Sequence, residues 1–144
     1  MCLGISLKIN QKVSKRNATK AYKIFIINNS GFLTSPIKGP SKSYPKSKWI
    51  EDNFGFNLSF DHGTGENRTG YKSGFHAFAS KKVALRELKA AKSKNFLRNK
   101  YFLYEVKLAG TVSSGIQTYG VFHRCGTNEK AYCGDIMRIG KKIE

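Results

Sequence analysis

Acidic residues are what this chain has least of. Nine Asp and Glu stand against 26 Lys and Arg, a formal net charge of +17. So few carboxylates disfavour chemistry that needs them clustered, such as two-metal phosphoester cleavage or paired-carboxylate glycoside hydrolysis. Cysteine is scarce too. Cys2, Cys125 and Cys133 make an odd count, which argues against a disulfide framework and for a reducing cytoplasm. No apolar run approaches the ~18 residues that a membrane span needs. The opening MCLGISLKINQKVSKR puts its apolar patch ahead of its charges, the reverse of a secretory leader. The first glycine is Gly4, so an N-myristoyl signal is absent. No Walker or dinucleotide glycine pattern occurs, and no Ser-His-Asp or Cys-His order stands out.

What is present is a globular balance of apolar and charged residues over 144 positions, enough for one hydrophobic core. The chain therefore reads as a single domain over residues 1–144. Residues 1–20 read as a partly flexible N-terminal segment in which Cys2, Leu3, Ile5, Leu7 and Ile9 alternate as an edge strand. Residues 140–144 read as a frayed basic tail. Residues 21–28 (AYKIFIIN) are a β-branched run ending in a turn, and residues 32–44 carry the prolines and serines of a loop. Residues 54–60 (FGFNLSF) and 101–112 alternate with period two, as half-buried strands do. Ser80 is an N-cap for a helix reaching about Lys94, and Ala84, Leu88 and Ala91 share its inward arc. A turn is expected at residues 113–115, between strands at 101–112 and 116–122, with a last strand at 131–139. The fold class that follows is α+β: a mainly antiparallel, curved sheet of about six or seven strands with one main helix on one face.

Four groups of residues could carry chemistry. The loop DHGTGENRT at 61–69 offers backbone N–H groups together with His62, Thr64 and Arg68 to a phosphate; glycine and asparagine are equally ordinary in a hairpin loop. His76, in the short strand before the helix, points opposite to Phe75 and Ala77 and suits a phosphate contact, proton transfer or a structural role satisfied by its neighbours. His123, Cys125 and Cys133 have zinc-ligand chemistry, but their spacing fits no finger or ribbon and no fourth ligand is evident. The reading is therefore no metal and no cofactor.

The fourth group is basic and aromatic. Lys82, Arg86 and Lys89 lie on one arc of the helix, and Lys46 and Lys48 lie in the basic loop SKSYPKSKW. Tyr44, Trp49 and Tyr71 are the rings placed beside cations, the pairing that unpaired bases need. Aromatics are also common strand residues.

Two resemblances add to this. MCLGI, AYKIF, GFLTSP and GFHAF, followed by an alanine-bearing helix, resemble a diffuse group of small phage-encoded proteins of unassigned function. That resemblance implies a viral or mobile-element accessory protein acting on host enzymes or defences in the host cytoplasm. The order HGT (62–64), GFHAFASKKVA (74–84) and YFLYEVKLAG (101–110) is similar to the core of the poly(ADP-ribose) polymerase-like ADP-ribosyltransferases. It implies NAD as cofactor, with His62 on the nicotinamide ribose, His76 or Phe78 near the stacking position and Glu129 as third residue. The stacking tyrosine of that family is missing here.

The functional expectation is a binder of nucleic acid or of an anionic, possibly cyclic, nucleotide, more a binder than an enzyme and with no membrane partner. The alternatives are an inhibitor that docks its basic face on an acidic host protein, and the NAD-dependent transferase.

Overall fold

The computed structural model describes residues 3, 5–34, 43–52, 58–60, 70–72, 74–94, 100–117 and 129–144. In chain order its strands are β1 (Ile5–Val13), β2 (Thr19–Ile27), β3 (Leu33–Thr34), β4 (Trp49–Glu51), β5 (Leu58–Phe60), β6 (Gly70–Lys72) and β7 (Phe75–Phe78). The helix α1 (Lys81–Lys94) follows, and then the long strands β8 (Tyr101–Gln117) and β9 (Glu129–Lys142). Seven strands form one antiparallel sheet, and β5 and β6 form a separate pair. The α+β class with a curved antiparallel sheet and one helix is what the structure shows.

The curvature is complete. Ala21 of β2 pairs with Val106 of β8, and Val106 pairs with Ile139 of β9. On the far edge of β9, Ala131 pairs with Phe78 of β7, and Phe78 pairs back with Tyr22 of β2. Strands β2, β8, β9 and β7 thus close a ring of hydrogen-bonded neighbours. Strand parity decides what fills it. Ala21, Phe25, Phe75, Ala77, Tyr104, Val106, Leu108, Met137 and Ile139 meet inside. Lys23 belongs to the same parity and is 7% exposed; its ammonium donates to the His76 carbonyl at 2.7 Å.

The opposite parity of β2, β7 and β8 carries Ile24, Phe78, Tyr101 and Leu103, and these receive the helix. Helix α1 begins where expected. The Val83 N–H reaches Ser80 Oγ at 3.4 Å and the Ala84 N–H reaches the Ser80 carbonyl at 3.0 Å. Val83, Ala84, Leu88 and Ala91 are its buried stripe, so both faces of residues 101–104 are covered.

Three expectations give way to long-range pairing. The turn at 113–115 does not form, and β8 runs unbroken through it. Ser114 and Gly115 pair with Lys8 and Ser6 on one edge and with Tyr132 and Ala131 on the other. Pairing on both edges satisfies the backbone that a turn would otherwise organise. The bend falls instead at Gly110, whose φ is 77°, beside a register shift between Ala109 and Val112. There Asp135 Oδ1 accepts the Thr111 N–H at 2.8 Å and Oδ2 pairs with Lys72 at 2.8 Å. A Cβ on Gly110 would overlap that carboxylate.

The basic tail is also structured. Gly140–Lys142 completes β9, and the Ile143 N–H donates to the Leu103 carbonyl at 2.7 Å. Lys142 lies 4.2 Å from the Phe102 ring centroid. Within 1–20, β1 pairs along β8, while Thr19 and Lys20 already belong to β2. Of the alternating run 54–60, only 58–60 lie among the described residues, as β5, and of 116–122 only Ile116 and Gln117, as the end of β8.

The ring closes tightly where β7 begins. A Cβ on Gly74 would overlap the Gly134 carbonyl, a backbone atom that cannot swing away. Gly74→Ala should therefore lower the unfolding free energy by about 1–3 kcal/mol, the usual scale of overpacking. Urea denaturation reads this directly, and an unchanged midpoint would show that the two strands can part without cost.

Candidate anion-binding face

Register places four residues in one row across the outside of the barrel. Lys20 of β2 is the cross-strand partner of Lys107 of β8, Lys107 of Arg138 of β9, and Arg138 of Trp49 of β4. Direct partners share a face, with Cβ atoms about 4.5–5.5 Å apart. Lys20, Lys107 and Arg138 are exposed and Trp49 is half-buried. Parity puts this row on the helix-bearing face, four residues along β8 from Leu103, which is ~13 Å at strand rise.

Like charges directly opposite one another oppose sheet pairing. Among the described residues the acids nearest in register are Glu105 and Glu51, each two positions along its strand from the row. Lys15, from the connection between β1 and β2, adds a fourth cation 5.7 Å from the Trp49 ring centroid. A hollow of ≈ 240 Å³, lined by Ser47, Glu105, Lys107 and Arg138, opens beside the row. The arrangement can hold an anion by relieving its own repulsion, and it offers an aromatic ring at one end.

The residues of the basic loop lie in different places. Trp49 ends the row, and exposed Lys48 precedes it. Lys46 is also exposed, and its ammonium lies 5.4 Å from the Tyr104 ring centroid. Tyr44 is a correction. It is 5% exposed and packs edge-on against Phe25 and Phe75, so its ring plugs the barrel rather than offering a stacking face. Tyr71 is a second correction. It is fully buried, and its hydroxyl accepts the Leu3 N–H at 2.9 Å and lies 3.3 Å from His76 Nε2. Apolar burial outweighs any surface role for both rings.

His76 does point opposite to Phe75 and Ala77, but it is buried beneath Tyr71 and opposite Cys133. Glu129 is four residues from Cys133 along β9, ~13 Å at strand rise, and Arg86 holds its carboxylate at 3.4 Å. The structure therefore does not bring His76 and Glu129 together. On α1, Lys82, Arg86 and Lys89 are exposed, with Arg86 acting partly as the tie to Glu129. His62, Thr64 and Arg68 lie outside the described residues, as do His123 and Cys125. Cys133 is buried, and its thiol lies 3.6 Å from the Lys72 carbonyl oxygen. Among the described residues no group of three His, Cys, Asp or Glu could hold a metal, and no helix is long and apolar enough to cross a membrane.

Lys15, Lys20, Lys107 and Arg138 were not singled out from the sequence. The outward parity of Lys107 is legible in the alternation of residues 101–108, but only register shows that it meets Lys20 and Arg138.

The fold and this row together define an α+β closed sheet with a cationic outer face. No protein-family model, no curated protein and no solved structure matches the chain.

Burial raises the pKa of Tyr44, and the nearby Asp52 charge raises it further; burial alone raises that of Tyr101. Both phenols thus hold their protons more tightly folded than unfolded. Their contribution is complete below the unfolded tyrosine value of about 10 and is lost as pH climbs from there through the folded value. Tyr44→Phe should make the alkaline loss of stability shallower but not abolish it, because Tyr101 remains. Denaturant midpoints between about pH 9 and 11 test this, and superimposable wild-type and Tyr44→Phe profiles would refute it.

Proposed function

We propose that this protein binds single-stranded nucleic acid across the Lys20–Lys107–Arg138 row, with Trp49 as the contact for a base. The row carries the reading: three cations opposite one another on adjacent strands, with acids only at flanking positions. A polyanion converts this repulsion into attraction. The net charge of +17 supports the same partner class through long-range steering. The half-buried indole at the end of the row favours a single strand over a duplex, because a duplex keeps its base faces stacked inside.

The test is fluorescence anisotropy with a labelled oligothymidylate of about twelve nucleotides, within the site sizes of sheet-based single-strand binders. If Lys15, Lys20, Lys107 and Arg138 each neutralise a phosphate, the logarithm of affinity should fall with the logarithm of salt at a slope near −2.8, about −0.7 per contact. Lys107→Glu combined with Arg138→Glu should nearly abolish binding. Trp49→Ala should cost about 1–3 kcal/mol and leave the slope unchanged. Affinity that survives the double charge reversal would sink the proposal. A flat salt response would point instead to a small anionic nucleotide as ligand.

A further inference from the structure

A second surface, separate from the cationic row, lies along α1. Leu85, Arg86, Leu88, Lys89, Lys92 and Ser93 line a groove of ≈ 660 Å³ that Glu144 borders on its far side. Counted from Leu85, the helical residues fall at i, i+1, i+3, i+4, i+7 and i+8, one side of a helix. Leu88 is buried and Leu85 half-buried, and both belong to the helix-packing cluster that Ile143 also joins. The groove thus has an apolar floor with cations along its wall. Its volume falls within the ~300–1,000 Å³ typical of ligand sites.

We propose that this groove docks an acidic, amphipathic peptide segment of a partner protein. Charge complementarity names the occupant. Among the described residues, Arg86, Lys89 and Lys92 line the groove together with one acid, Glu144. Neither Lys89 nor Lys92 has an ion-pair partner among the described residues. Arg86 is already tied to the carboxylates of Glu129 and Glu87, so Lys89 and Lys92 are the cations the groove offers to an incoming acid. The apolar floor separates this site from a nucleic-acid track. Bases need aromatic faces for stacking, and among the described residues no aromatic side chain lines the groove. Leucine-type side chains seated on Leu85 and Leu88, with flanking glutamates on Lys89 and Lys92, would use the helix-in-groove mode of recognition.

The inference stands independently of nucleic-acid binding, and its test separates the two. The probe is a short fluorescein-labelled peptide repeating Glu-Glu-Leu-Leu. One control replaces its leucines by serine and the other its glutamates by glutamine. Anisotropy near physiological salt should show the first peptide binding and each control weaker by roughly tenfold or more, the signature of one lost anchor class. Leu85→Ser, with folding checked by circular dichroism, and Lys89→Glu with Lys92→Glu should each weaken the first peptide by roughly tenfold. Lys107→Glu with Arg138→Glu should leave it unchanged. Absence of binding overturns the inference. So does equal binding of the serine control, or loss through the row variant, since both would reduce the attraction to bulk charge.

Discussion

Strand β9 hydrogen-bonds along both edges, to β8 on one side and to β7 and β4 on the other. That two-sided pairing turns a curved sheet into a closed one, and the other structural features follow from it. A closed sheet has an inside, and its inside must be filled by one parity of every strand. Phe25, Tyr44, Tyr104 and Met137 fill it here. Closure also demands a close approach at Gly74 and Gly134 and a sharp bend at Gly110. The Asp135 carboxylate holds that bend, binding the Thr111 backbone and the Lys72 ammonium at once.

The same closure assembles the outer face. Lys20, Lys107, Arg138 and Trp49 are far apart in the chain and become neighbours only because four strands lie side by side in one register. A one-residue slip of any strand would turn its member of the row inward. The repulsion within the row works against the sheet, and the barrel core and the helix packing on the other side of β2 and β8 offset it. The groove on α1 draws on a different economy, in which an apolar floor is left partly open between the helix and the end of β9.

Much of the framework was legible in the residues. Ser80 announced the helix, and the Ala84–Leu88–Ala91 arc announced its buried side. The alternation of 101–108 placed Phe102, Tyr104, Val106 and Leu108 on one face. The misplaced turn at 113–115 has a definite cause. Serine and glycine carry turn chemistry when the backbone has no partner, but here β1 and β9 supply partners on both edges. Tyr44 and Tyr71 have a similar cause. Flanking lysines made them look like surface rings, whereas Tyr44 plugs the barrel and Tyr71 packs with Leu3, Ala131 and Cys133.

The chain's composition by itself determined its strongly cationic character, because a charge of +17 persists in any fold. Local pattern determined the helix, the parity of the strands and the α+β class, since helix caps and two-residue alternation are short-range physics. Tertiary structure alone decided that the sheet closes, which aromatics are core, and which lysines and arginines stand together. Those outcomes depend on register between segments that in places lie more than a hundred residues apart, and no local preference encodes register across such distances.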